Sequence, residues 1–128
     1  MNVVIDTNVL VSSLWSRNGT CSKIIYKVLN YDLTIVYDQR IISEYKTVLE
    51  RPKFGFTKDE VKSLIDFIKI EGLCIVPNPL NIKFADESDK KFYEVAKYMK
   101  CPLITGNKKH FPDEDEILSP MEFLERYK

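Results

Sequence analysis

Short, β-branched apolar runs alternate along this chain with longer segments whose apolar residues recur every three or four positions, the pattern of strands separated by amphipathic helices. Asn2-Val3-Val4-Ile5-Asp6 reads as a buried strand ending in a carboxylate, with a helical segment beginning at Thr7. Thr20, after Asn18-Gly19, can cap a helix with the stripe Ile24, Ile25, Val28 and Leu29. Leu33 to Tyr37 is the second expected strand. The next helix carries Ile41, Ile42, Tyr45, Val48 and Leu49 on one face and stops before Arg51-Pro52. Thr57 to Glu60 forms a capping box with Phe56 and Val61 as a hydrophobic staple, opening a helix through Leu64, Ile65 and Ile68 that ends near Gly72. Leu73 to Val76 reads as strand three and Pro77 to Phe84 as a loop. Ser88 or Asp89 then starts a helix with the stripe Phe92, Val95, Ala96 and Met99. Leu103-Ile104-Thr105 is strand four, Gly106 to Pro112 a loop, and Glu116-Ile117-Leu118 strand five. Ser119-Pro120-Met121-Glu122 supplies a cap, an N1 proline and a capping glutamate for the last helix.

Crossovers of ten or more residues between strands imply a mostly parallel sheet covered by helices on both faces. In such sheets the ligand site lies beyond the C-terminal strand ends, where the strand order reverses. Asp6 and the loop from Thr105 to Asn107 occupy such ends.

Composition narrows the class. The chain has 128 residues, of which 45% are apolar and 12% aromatic, enough for one core and too apolar for disorder. Residues 1–128 read as one domain. Lys and Arg total 19 against 19 Asp and Glu, so a basic arm that coats nucleic acid is excluded. The zero is a cancellation. Residues 90 to 109 hold six lysines against Glu94 alone, a local charge of +5, whereas residues 110 to 128 carry −4. Were Asp6, Glu44 and Asp89 taken up by cations, the balance elsewhere would be +3, a mildly basic surface without a conspicuous patch. The apolar N-terminal stretch is interrupted by Asp6 and preceded by no basic residue, so it fails as a signal peptide, and no run is long enough to span a membrane. Cys21, Cys74 and Cys101 are odd in number and far apart, which argues against disulfides or zinc and for a reduced, cytoplasmic protein. His110, the one histidine, reads as a surface residue in a polar turn.

Four positions place an acid or its amide isostere beside a strand end or an apolar stripe. Asp6 ends strand one, where it would serve equally as a helix cap. Glu44 projects about 60° from Ile41, just off the buried edge of its helix, where it either reaches over the sheet rim or is simply solvated. Asp89, with Asp86 and Glu87 upstream, opens a helix on its apolar side, a place the helix dipole alone favours. Asn107 follows Thr105-Gly106 and offers a neutral oxygen, or forms a plain Gly-Asn turn. Three carboxylates converging within about 5 Å would cost on the order of 10 kcal/mol if all stayed ionised at an effective dielectric of about 20. Only protonation or a cation relieves that. An all-oxygen cluster suits Mg²⁺ or Mn²⁺, whose waters can attack a phosphodiester.

The segments Val4-Ile5-Asp6-Thr7-Asn8-Val9-Leu10, Ser43-Glu44-Tyr45 with Val48-Leu49 and Arg51-Pro52-Lys53-Phe54, Asp86 through Ala96, and Thr105 through Pro112 resemble those of PIN-domain proteins. Within that family they are most similar to the toxin components of toxin–antitoxin systems. The resemblance covers nearly the whole chain. It implies a single PIN-like domain, a three-layer α/β/α sandwich around a mostly parallel sheet of about five strands, and an Mg²⁺- or Mn²⁺-dependent endoribonuclease. It implies that Asp6, Glu44 and Asp89 hold the metal, and that Thr7, Asn8 and Thr105 line the site. Asn107 falls where many relatives carry a fourth aspartate; Asp86 or an acid between Asp113 and Glu116 could compensate. Lys108 and Lys109 are placed to meet the RNA backbone.

The expected function is therefore metal-dependent hydrolysis of RNA by a toxin, with RNA as substrate, a cognate antitoxin and a second copy of the chain as partners, and no membrane. The alternative is a catalytically degenerate PIN fold that acts by binding protein or RNA, a reading that Asn107 favours. A phosphatase or receiver fold also puts Asp after strand one, but Asp6-Thr7-Asn8 lacks the paired acids those chemistries need.

Overall fold

Val3, Val4 and Ile5 are fully buried in the first strand, as a run without polar alternation requires when both faces of a sheet are covered. The computed structural model describes all residues from 1 to 128. In chain order the elements are β1 (Asn2–Ile5), α1 (Thr7–Trp15), α2 (Thr20–Leu29), β2 (Thr34–Tyr37), α3 (Gln39–Leu49), α4 (Lys58–Glu71), β3 (Leu73–Cys74), α5 (Lys90–Met99), β4 (Leu103–Ile104), β5 (Ile117–Leu118) and α6 (Pro120–Arg126). Three 3₁₀ turns, Pro52–Phe54, Glu87–Asp89 and Lys108–His110, punctuate the loops.

The five strands form one all-parallel sheet in the order β3-β2-β1-β4-β5. Successive crossovers step one way from β1 to β3 and then back to β4. Right-handed connections therefore put α5 on the opposite face from the α1–α2 and α3–α4 crossovers, giving the three layers of an α/β/α sandwich. A contiguous core of 33 buried apolar residues fills the space between sheet and helices.

The two sequence-read capping boxes form as expected, Thr57 with Glu60 and Ser119 with Glu122. Other boundaries differ. Gly19, not Thr20, stands at the N-cap of α2, because Thr20 already has its place in the first helical turn. The start of α5 is where it was expected, with Asp89 at the N-cap, but Asp89 makes no side-chain capping bond; Asp86 accepts from the Ser88 amide at 2.9 Å and starts a 3₁₀ turn that runs into the helix. Strand three ends at Cys74 instead of Val76. It has a neighbour on one side only, and after the Ile75 amide reaches Tyr37 at 2.9 Å the chain turns outward toward Pro77, which has no amide to donate. Leu33, Thr105 and Glu116 lie just outside their strands.

Gly72 marks a close approach between α4 and the sheet. A Cβ there would stand 2.4 Å from the Ile68 carbonyl oxygen and 2.8 Å from that of Ile35. The returning loop after β3 is pinned by Glu94 of α5, which accepts from the Leu80 amide at 2.8 Å and is held in turn by Arg40 at 2.9 Å, Arg40 also pairing with Asp38 at 2.6 Å. The basic and acidic segments near the C-terminus meet in space: Lys97 pairs with Glu114 at 2.8 Å and Lys108 with Glu122 at 2.9 Å.

Candidate active site

β1 and β4 are neighbours although far apart in sequence, so the strand order reverses between them and their C-terminal ends form a crevice. Register brings Ile5 opposite Ile104, and the Asp6 amide donates to the Ile104 carbonyl at 2.9 Å. Asp6 thus stands at the mouth of the crevice with 6% of its surface exposed. It occupies the N-cap position of α1 but makes no capping hydrogen bond. Its Oδ2 instead accepts from Thr105 Oγ1 at 2.7 Å, and the Asn107 amide donates to that same hydroxyl at 3.0 Å. Thr105 is fully buried, so it holds the carboxylate to the β4 loop from inside.

Glu44 approaches from α3. Tyr45, the next residue, is completely buried and donates its hydroxyl proton to the Ile5 carbonyl, which locks this turn of α3 over the end of β1. Thr7 donates to Glu44 Oε2, and Lys91 pairs with Oε1 at 2.8 Å. Lys91 is itself nearly buried; it also donates to the Ser88 carbonyl, and its ammonium lies 5.0 Å from the Phe92 ring centre. Asp89, at the start of α5, has no Lys or Arg partner; His110 Nδ1 stands 3.5 Å from its Oδ2.

Burial raises the Asp6 carboxyl above its ordinary value; the Thr105 hydrogen bond opposes this, and the charges of Asp89 and Glu44 reinforce it. Asp89 is raised for the same first reason, with Asp86 and Glu44 adding to it and His110 and Lys91 opposing. The three carboxylates expected from the sequence therefore share one electrostatic neighbourhood. They do not close into a ready-made cage, because no three acidic, histidine or cysteine groups stand close enough together to grip an ion. Asp6 and Asp89 suit a hydrated divalent cation of the magnesium kind, which commonly takes only one or two carboxylates and keeps its waters. Both Glu44 oxygens are already engaged, Oε2 by Thr7 and Oε1 by Lys91.

The remaining sequence candidates divide. Thr7 and Thr105 are buried and bonded to the acids, whereas Asn8 is exposed on the first turn of α1. Asn107 contributes its backbone amide to Thr105. Lys108 is turned to Glu122, while its neighbour Lys109 is exposed and in no ion pair. His110 is exposed, as expected, yet lies against Asp89, which the sequence reading did not anticipate. Lys91 was missed altogether. Its helical position about 40° from Val95, at the border of the apolar stripe, was the available signal.

The PIN domain family matches residues 2–109. The chain is a PIN-domain protein. A similar sequence is the uncharacterized protein MJ1680 of Methanocaldococcus jannaschii, 29% identical over 143 residues that take in 99% of this chain and 92% of that one. No solved structure matches. PIN domains are in general nucleases that cleave phosphodiester bonds with divalent metal ions, and the crevice between β1 and β4 is where this PIN domain gathers its carboxylates. No helix is long and apolar enough to cross a membrane.

Proposed function

We propose that this PIN domain is an Mg²⁺- or Mn²⁺-dependent endoribonuclease and the toxin of a type II toxin–antitoxin pair, acting in the cytoplasm. The observation that carries the reading is Asp6: a buried carboxylate at the topological switch point, bonded to Thr105, electrostatically coupled to Asp89 and Glu44, and without a Lys or Arg partner. A carboxylate buried at such cost calls for a cation.

Asp6 and Asp89 would hold the metal, with Glu44 as a further ligand directly or through water. A divalent ion there would supply an activated water and stabilise charge developing on the phosphate. The protein's own part is positional. Thr105 fixes the rotamer of Asp6; Thr7 and Lys91 fix Glu44 from two sides; the Asn107 amide ties the β4 loop to the same hydroxyl. Asn8, exposed beside Thr7, and Lys109 are free to meet RNA, and Lys108 can do so by leaving Glu122.

Cleavage of single-stranded and structured RNA should require Mg²⁺ or Mn²⁺, stop with EDTA, and be lost in Asp6→Asn. Activity surviving both EDTA and Asp6→Asn would belong to a contaminating nuclease and would end the assignment. The partner reading is tested by the neighbouring gene: a small basic or ribbon-helix-helix protein encoded just upstream should co-purify and suppress cleavage. Sedimentation equilibrium tests the homodimer. Asn107 in place of an acid and the Lys91–Glu44 pair favour one other reading, a PIN fold that binds without cutting. Metal binding with no cleavage of any RNA would favour it.

A further inference from the structure

The seam between α1 and α3 has the carboxylates at one end. Thr7, at the start of α1, bonds Glu44 of α3; eight residues on, about 12 Å at 1.5 Å per residue, Trp15 at the end of α1 meets Phe54 just beyond α3. The Trp15 and Phe54 rings meet edge to face at 5.0 Å, the indole N–H donates to the Phe54 carbonyl at 3.3 Å, and Phe56 stacks on Phe54 at 6.0 Å. This cluster is not core. Trp15 is 60% exposed, and Phe54 and Phe56 are only partly covered. Arg17, Arg51 and Lys53 flank it, all exposed and none in an ion pair; Lys53 sits 5.1 Å from the Phe54 ring centre. Of the nearby acids, Glu60 is committed to its capping box, leaving Glu50 and Asp59 as the opposing charges. Of the tail's lysines, Lys97 and Lys108 are drawn into pairs with Glu114 and Glu122, while Lys90, Lys100 and Lys109 are in none.

We propose that this aromatic shelf is the subsite that holds single-stranded RNA a few nucleotides from the carboxylates, with a base stacked on Trp15 and backbone phosphates against Arg17, Arg51 and Lys53. The inference rests on the nuclease reading and adds to it a binding site outside the carboxylate crevice. An exposed indole with unpaired cations close by in the chain, one of them over the neighbouring Phe54 ring, matches the chemistry of an unstacked base with its phosphates, since every base offers a π-face and stacking is sequence-tolerant. A duplex keeps its bases covered and has no face to offer. An acidic peptide would use the cations but leave the indole idle.

Trp15 is the only tryptophan in the chain, so its emission reports on this site alone. The full-length protein is titrated with an uncleavable 2′-O-methyl single-stranded oligonucleotide, with the same sequence as a duplex, and with a single strand carrying abasic sites. The single strand should quench Trp15 saturably; the duplex and the abasic strand should not. Trp15→Ala should weaken binding, read by anisotropy, about 10-fold, and Trp15→Phe should recover much of it. Arg51→Ala with Lys53→Ala should lower the slope of log Kd against log salt by about 1.4. Unchanged emission while the oligonucleotide binds would overturn the proposal. So would an emission that shifts with protein concentration alone, which would make the shelf a contact between copies, or one that responds only to a co-expressed protein partner. The wild-type titration needs no variant to fold. Metal-dependent cleavage on the same preparation with a silent Trp15 sinks the subsite and spares the nuclease; quenching without cleavage by any metal-loaded sample does the reverse.

Discussion

Lys91 Nζ stands 2.8 Å from Glu44 Oε1, joining the first turn of α5 to the middle of α3 across the crevice that holds Asp6. A nearly buried ammonium thus supplies one unit of positive charge to a neighbourhood of three carboxylates. It limits their repulsion when no metal is present, and it leaves Asp6 and Asp89 as the pair without a Lys or Arg partner.

Lys91→Met should therefore destabilise the protein by about 1–3 kcal/mol, the scale of a half-buried charge stripped of its partner. The double variant Lys91→Met with Glu44→Gln should be more stable than Lys91→Met alone, because the stranded carboxylate is gone. Urea unfolding of the four members of the cycle gives the coupling; a double variant no better than the single one would show that Lys91 acts by packing and not by charge.

Asp6→Asn should abolish cleavage, by roughly 100-fold or more, yet stabilise the metal-free protein at pH 7 by about 1 kcal/mol. The sign follows from the raised carboxyl. The folded state binds its proton more tightly than the unfolded chain. The wild type is therefore relatively more stable below the ordinary carboxylate range and loses that advantage as pH rises through the raised value. The gain from Asp6→Asn should accordingly shrink as pH falls from 7 toward 4. Thermal melts in EDTA across that range measure it.

Added Mg²⁺ or Mn²⁺ should raise the melting temperature of the wild type and not of Asp6→Asn. Protons compete for both Asp6 and Asp89, whose carboxyls are held above their usual values, so metal affinity should fall steeply on acidification. Isothermal titration at several pH values checks this.

Asn107→Asp would add a carboxylate to the β4 loop beside Thr105. It should tighten divalent-ion binding roughly 10-fold and cost the metal-free protein about 1 kcal/mol through repulsion with its neighbours. Looser or unchanged metal binding would show that position 107 faces away from the ion.

Tyr45→Phe tests how Glu44 is placed. Losing the buried bond to the Ile5 carbonyl should cost about 1–2 kcal/mol and leave α3 less firmly seated on β1, so cleavage should fall while the fold persists. Denaturant melts and initial rates at saturating metal read the two effects separately.

Much of this protein follows from local pattern. The run Asn2–Ile5, the stripes of α3 and α5, and the boxes at Thr57 and Ser119 are short-range features, and hydrophobic period and capping chemistry are themselves short-range. An acid directly after a buried strand pointed to the switch point because parallel sheets place ligands there. Where a boundary depended on a distant neighbour, local pattern failed: strand three stops at Cys74, where its pairing with β2 ends, although the apolar run continues to Val76.

Hydrophobic period and capping chemistry are enough for the elements and their parallel order, and they bring forward the three acids that the crevice gathers. Which charges meet depends on how distant segments pack. Lys91 and Glu44 are 47 residues apart, Thr105 and Asp6 are 99, and the tail's lysines close onto its acids through loops that no periodicity encodes. Trp15 and Phe54 likewise meet only because α1 and α3 run side by side. Charge pairing acts over a few ångströms of space, not of sequence, and one lysine in a helix looks like any other until a carboxylate from another element arrives beside it.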